Sequence, residues 1–226
     1  TFIRPVMEAK SAGIPTILVN SSLEGDSHVS FVATDNYRGG ALAAEHMGKI
    51  TGGKGKIIII RLNEGDVTTM ERVKGFRETI AAKFPGIVIV SENQYAGVTT
   101  ESAFRTGENL FNRYPDVTAL FTPNESSTFG FLRVLQDRGI AGKIWFVGFD
   151  SSEKLIEAMK KRELHGLVIQ NPFAMGYIGV KTTLAHLRGE PVEKRIDTGV
   201  ILASPDNMDD PEVAKLLKPD LSMLSK

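Results

Sequence analysis

Gly52-Gly53-Lys54-Gly55-Lys56-Ile57-Ile58-Ile59-Ile60 is the stretch whose reading decides the fold. Four consecutive isoleucines leave the segment no polar side. It therefore reads as a strand buried on both faces, the condition of a strand inside a parallel sheet covered by helices. The glycine-rich lead-in superficially suggests a phosphate loop. It precedes a strand rather than opening a helix, so it lacks the helix N-terminus that would hold the anion. We read it as a turn.

Helix and strand patterns alternate outward from this run. Before it come a helix over 3–12 ended by Gly13, strands over 14–19 and 29–33, and a helix capped by Asp35 or Asn36 that runs to about Ile50. After it the pattern predicts helices over 68–83, 99–113, 126–138, 152–161 and 173–187. The intervening strands are 87–90, 117–121, 144–149 and 166–169, followed by a single strand over 196–202. A polar tail carries a short helix near 211–217. Strands separated by whole helices imply βαβ units and a mostly parallel, doubly wound α/β sheet.

Composition narrows the function. The 226 residues suffice for one large domain or two small lobes. The 27 basic residues are balanced by 27 acidic ones, which argues against nucleic-acid binding. No apolar run reaches about eighteen residues, so no direct membrane insertion is expected. The chain opens on Thr1 and Phe2 without a basic leader or a cleavage site. Cysteine is absent, which removes disulfides, thiolate ligands and cysteine nucleophiles. His28, His46, His165 and His186 have no metal-like spacing, so neither a metal nor a cofactor is expected. There is no P-loop motif and no G-x-S-x-G elbow. No catalytic residue is assigned, and the chain is read as a non-enzyme.

Ligands of such sheets bind outside the carboxyl ends of the strands. Those positions hold Asn20 and Ser21; Asn63, Glu64 and Asp66; Asn93, Gln94 and Tyr95; Asn124 and Glu125; Asp150; and Gln170 and Asn171. Groups that donate and accept together suit a hydroxyl-rich ligand. Each residue also has an ordinary reading. Asp150 in V-G-F-D-S-S and Asn124 in T-P-N-E-S-S suit helix N-caps. Gln170 suits turn chemistry, and a lone helix arginine such as Arg72 is usually solvated or paired with a nearby glutamate. Glu64 and Asp66 could form a carboxylate pair, but loop acids are usually solvated. Phe173 offers an aromatic wall, with core packing as its ordinary reading. The argument rests on the set, which shares one edge of a sheet.

Several strings, in order, carry a family resemblance. They are A-G-I-P-T-I-L-V-N (12–20), V-A-T-D-N-Y-R-G-G-A-L-A-A-E (32–45), the isoleucine run, E-R-V-K-G-F (71–76), F-V-G-F-D-S-S (146–152), V-I-Q-N-P-F-A-M-G-Y (168–177) and I-D-T-G-V (196–200). Together they make the chain similar to the ribose/glucose/galactose-type periplasmic sugar-binding proteins, of the type I class. The ligand domains of LacI-type repressors share that fold. The resemblance implies two doubly wound parallel-sheet lobes joined by three crossing segments and closing on a sugar like a hinged trap. The crossings map near 34–35, 170–171 and 198–200. Residues 1–34 and 171–199 then form an N-terminal lobe, and 35–170 with 200–226 a C-terminal lobe. The N-terminal lobe is expected to be incomplete, lacking about 60–75 residues of βα units.

The resemblance also implies site residues. Arg72, Asn124, Asp150 and Gln170 take the sugar-binding positions. Two positions depart from the ribose type. Asn20-Ser21 stand where an Asp-Arg pair is usual, which leaves Asn20 as a contact and puts ribose in doubt. The usual aromatic falls near Val98, and Tyr95 is taken as its replacement, with a structural role equally open. The implied function is the receptor of a bacterial ABC sugar importer, placed in the periplasm or held outside the membrane as a lipoprotein. Its partners are a monosaccharide or similar polyol and an ABC permease. The alternative is the ligand-sensing domain of a LacI-type transcription regulator. From the strand-end place of Asp150, Asp150→Ala is expected to weaken sugar binding at least about tenfold. The melting temperature of the unliganded protein should barely change.

Overall fold

The computed structural model describes residues 3–219. In chain order the first elements are α1 (Ile3–Ser11), β1 (Ile17–Val19), β2 (Ser30–Ala33), α2 (Asn36–Ile50), β3 (Gly55–Arg61), α3 (Val67–Lys83), β4 (Ile87–Tyr95) and α4 (Thr100–Arg113). They are followed by β5 (Ala119–Phe121), α5 (Glu125–Asp137), β6 (Trp145–Phe149), α6 (Glu153–Lys160), β7 (Gly166–Gln170), α7 (Pro172–Leu187), β8 (Arg195–Asp197), β9 (Val200–Ala203) and α8 (Pro211–Leu217). The chain divides into two compact units and passes between them after Asp35, after Ile169 and after Val200. Residues 220–226 of the tail lie outside the described residues.

The larger unit is built on a six-stranded sheet in the order β4-β3-β5-β6-β7-β9. The β3–β4, β3–β5, β5–β6 and β6–β7 pairs are parallel. Ile57 to Ile60 of β3 are completely buried, as a strand covered on both faces requires. β4 lies on one side of β3 and β5 on the other, so the winding reverses at β3. That makes the carboxyl ends of β3 and β5 the switch point of the sheet. The glycine-rich segment before β3 is a turn, with Gly52 and Gly53 at φ 63° and 73°.

Two glycines let α2 and α3 meet backbone to backbone. A Cβ on Gly40 would lie 1.9 Å from the carbonyl oxygen of Arg72, and one on Gly75 would lie 2.1 Å from that of Tyr37. Neither position has room for a side chain. Phe76, next to Gly75, stacks on Phe121 at the end of β5, with ring centroids 4.1 Å apart. These contacts set α3 over the switch point.

The smaller unit holds a three-stranded sheet, β1-β2-β8, with both pairs parallel. Leu18, Phe31 and Ala33 form its buried apolar cluster, with Val6 and Leu23 packed on it. Along one stripe of α7, Phe173, Tyr177, Val180, Leu184 and Leu187 are exposed, so Phe173 is not a core residue.

Two strand assignments differ from the sequence reading. The single strand expected over 196–202 is two strands in different sheets, β8 and β9. Gly199, at φ 78°, breaks the run, and Asp197 Oδ1 accepts the Gly199 amide at 3.0 Å to close the turn. β4 is longer than expected and runs through Asn93, Gln94 and Tyr95, which therefore lie within a strand and not beyond it. Polar residues are tolerated there because β4 is an edge strand, with one face of its ladder open.

Candidate functional site

Arg72 is the centre of the polar cluster at the carboxyl ends of the larger sheet. Asp66 caps α3 by accepting from the Thr69 amide and hydroxyl, each at 2.7 Å, which sets the first turn. Arg72 follows in the second turn and is only 3 % exposed. Its Nε donates to Asn36 Oδ1 at 2.8 Å, and its Nη1 donates to the Pro123 carbonyl oxygen at 2.8 Å. Its guanidinium carbon lies 3.8 Å from the centre of the Phe149 ring, a stacked cation–π arrangement. Gly39 makes that possible, since a Cβ there would lie 2.8 Å from the ring. Nη1 stands 3.7 Å from Asp150 Oδ2. Among the described residues no acceptor is bonded to Nη2. Burial pulls the guanidinium below its ordinary pKa, and the carboxylates of Asp150 and Asp66 oppose that pull.

Asp150 follows β6 directly and holds φ 66°, the left-handed region that asparagine and aspartate tolerate best among residues with a side chain. Its amide donates to the Val168 carbonyl at 2.8 Å, so the turn begins without losing the β6–β7 ladder. Ser152, not Asp150, is the N-cap residue of α6. The capping reading of Asp150 is therefore set aside. Its carboxylate is partly exposed beside the buried guanidinium.

Asn124 is the N-cap residue of α5, yet its side chain does not bond the helix backbone. Its Nδ2 donates to Ser126 Oγ at 2.8 Å, and its Oδ1 accepts from Ser127 Oγ at 2.5 Å. Thr128 stitches this end of the sheet together. Its hydroxyl donates to the Asn124 carbonyl at 2.7 Å and meets Thr122 Oγ1 at 2.9 Å and the Phe149 amide at 3.3 Å. Gly148 leaves the space, because a Cβ there would lie 2.3 Å from Thr128.

Of the remaining candidates, Tyr95 belongs to the larger unit, and Asn20 and Gln170 belong to the smaller one. Tyr95 ends edge strand β4, 41 % exposed, and its carbonyl accepts from Thr106 Oγ1 at 3.1 Å. No hydrogen bond, ion pair or ring contact among the described residues joins it to Arg72, Asn124 or Asp150. Asn20 belongs to the smaller unit. It follows β1 at φ 69° and donates its amide to the Val32 carbonyl at 3.0 Å. It thus repeats on the small sheet the left-handed strand end of Asp150. Gln170 is the last residue of β7, and Asn171 after it caps α7 by accepting from the Ala174 amide at 3.0 Å. The suggested Glu64–Asp66 pair dissolves into structure, since Asp66 is spent on its cap. Among the described residues no cluster of metal-ligating side chains occurs.

Residues 1–191 match the family model described as a periplasmic binding protein domain. The chain belongs to this periplasmic binding protein family. It is 32% identical over 191 residues to the ribose import binding protein of Salmonella typhimurium, an alignment covering 84% of this chain and 63% of that relative. The chain therefore spans less than two thirds of the length of such relatives. An ABC transporter solute-binding protein from Agrobacterium vitis, solved with bound D-fucose, is 33% identical with a TM-score of 0.89. The match covers 96% of this chain and 75% of that one. A second from the same species, bound to α-D-tagatopyranose, is 30% identical with a TM-score of 0.90 and covers 97% and 76%. The α/β fold with parallel sheets is thus that of the type I periplasmic binding proteins. Among the described residues, no helix of this binding-protein chain is long and apolar enough to cross a membrane.

Three contributors to the cluster escape a sequence reading of a periplasmic binding protein. Asn36 reads as a helix start, Phe149 as an apolar strand end, and the Pro123 carbonyl has no side-chain signature. The faint signal is the glycines. A Cβ at Gly39 would meet the Phe149 ring, at Gly40 the Arg72 carbonyl, at Gly75 the Tyr37 carbonyl and at Gly148 the Thr128 side chain.

Proposed function

We propose that this chain is the ligand-binding part of the receptor of an ABC sugar importer, working in the periplasm and passing its ligand to a membrane permease. Its ligand is a monosaccharide or a similar polyol, and its chemistry is reversible binding without turnover. One observation carries the reading: a buried arginine fork, held on two sides by protein acceptors, stands beside a partly exposed carboxylate at the switch point of a parallel sheet. Neighbouring hydroxyls on a sugar ring suit that pair, because each can accept from a guanidinium N–H and donate to a carboxylate oxygen. Asn124, whose amide already bonds two serines, can add a further polar contact. Asn20, Tyr95 and Gln170 enter the proposal as individual candidates, each tested by its own alanine variant.

The test is a thermal-shift screen against D-ribose, D-fucose, D-tagatose, D-arabinose and xylitol, with Arg72→Ala as control. A ligand at about 100 times its Kd adds about 2.7 kcal/mol, which is several degrees for a chain of this size. A shift with one sugar that vanishes in Arg72→Ala supports the reading. No shift with any of them, for this chain and for the longest natural product of its gene, removes it.

A further inference from the structure

Asn36 is the first residue of the larger unit, immediately after the first chain crossing. The residues before it are tied down within the smaller unit. Arg195 Nη2 donates to the Thr34 carbonyl at 3.0 Å, and Thr34 Oγ1 donates to the Gly199 carbonyl at 3.3 Å. The Asp35 amide donates to Asp197 Oδ1 at 3.0 Å, the same oxygen that accepts from Gly199. The segment entering the first crossing is therefore bonded to the segment entering the third. On the other side, Asn36 opens α2, and its buried Oδ1 accepts from Arg72 Nε. We propose that Asn36 is a positioning residue. It holds the Arg72 guanidinium in the orientation that leaves Nη2 for ligand, and it ties that orientation to the segment through which the two units are joined.

The inference rests on the reading of Arg72 as a ligand-binding residue, but its geometry can be tested separately. Removing Oδ1 leaves the N–H of a charged group buried without an acceptor, an arrangement that drives the side chain to reorient. Asn36→Asp keeps an acceptor at the same reach, and Asn36→Ala does not.

The experiment follows the Arg72 Nε–Hε resonance by NMR in the full chain, assigned by its disappearance in Arg72→Lys. In wild type and Asn36→Asp this proton exchanges slowly with water, and in Asn36→Ala it exchanges at least about tenfold faster. For a sugar that shifts the wild type, Asn36→Ala weakens binding at least about tenfold and Asn36→Asp by less than about threefold. In an Arg72→Ala background Asn36→Ala adds no further loss, because a positioning residue has nothing left to position. Unchanged Nε–Hε exchange in Asn36→Ala overturns the proposal, as does a full additional loss of affinity on top of Arg72→Ala. If Asn36→Ala does not fold, faster exchange in Asn36→Asp than in wild type overturns it. If no sugar binds the wild type, the proposed function fails, and the exchange measurement still decides whether Asn36 holds Arg72.

Discussion

Asp150, a proposed ligand contact, shows how much of a residue's character lies in its backbone angle. Alanine at φ 66° costs on the order of 1 kcal/mol more than aspartate, whose short polar side chain tolerates the left-handed region. The same change removes the carboxylate 3.7 Å from a buried guanidinium, and a buried charge that loses its partner is destabilising. Asp150→Ala is therefore expected to lower the melting temperature of the unliganded protein by a few degrees, besides weakening sugar binding at least about tenfold. Asp150→Gly should lose less of the unliganded stability, because it relieves the angle. Scanning calorimetry of the three proteins without ligand checks this, and equal melting points for wild type and Asp150→Ala would defeat the argument. From V-G-F-D-S-S alone the unliganded stability looks indifferent to this substitution, because neither the angle nor the distance to Arg72 is written in the motif. Arg72 was legible through R-x-x-G-F. Asn36 was not, since a residue distant in sequence becomes its hydrogen-bond partner only once two helices touch.

At the scale of elements, the contact between α2 and α3 carries the site. Gly75→Ala places a methyl group where the Tyr37 carbonyl stands, so the helices must separate and Arg72 must move with them. We expect a loss of about 1–3 kcal/mol in urea unfolding, together with loss of the sugar-induced thermal shift. Full retention of both would show that α3 can shift without disturbing Arg72. The other end of α2 is stapled to the sheet by two neutral histidines. His46 Nε2 bonds the His165 carbonyl at 2.8 Å and so carries the proton, while His165 Nδ1 accepts the Phe146 amide at 3.1 Å and so carries none. Burial lowers both pKa values, that of His165 to about 4, with His46 and then Arg162 adding to the effect. For His46 the hydrogen bond to the His165 carbonyl opposes burial, while Lys49 lowers it further and Asp206 raises it. As pH falls below the usual histidine value of about 6.5 the unfolded chain gains protons that the folded one refuses, so this contribution to stability declines until about 4 and levels off beneath it. Between about pH 6.5 and 5.5 the carboxylates of the unfolded chain stay almost wholly ionised, so the histidines dominate, with His28, also lowered by burial, adding to the pair. The melting temperature should fall across that window, and His165→Asn, which keeps an acceptor for Phe146, should flatten the fall. The strand cores were legible because runs such as Ile57 to Ile60 permit one environment. The β8–β9 break was not, because a single glycine angle decides it inside an otherwise apolar run.

For the molecule as a whole, the two units differ in how much apolar side chain each buries. The larger unit buries Phe76, Phe121, Phe131, Phe146 and Phe149 along with the four isoleucines of β3. The smaller unit has Leu18, Phe31 and Ala33 at its centre, and no residue of α1 is fully buried. At roughly 25 cal/mol per Å² of apolar surface removed from water, the larger unit holds most of the stabilising burial. Local opening should follow that inequality, since amides exchange by the cheapest opening available to their segment. In native-state hydrogen exchange, amides of 17–19, 30–33 and 195–197 are expected to exchange at least about tenfold faster than those of 57–60, 119–121 and 146–149. The two sets are matched in kind, because both are hydrogen-bonded parallel strands, so a difference between them reports the core beneath and not the ladder itself. Urea unfolding followed by the same exchange should then show protection lost first from 17–33 and 195–197, with β3, β5 and β6 protected to higher denaturant. Protection that disappears from both sheets together would mean that the two units unfold as one cooperative body, with the small core supported by interactions beyond its own buried side chains.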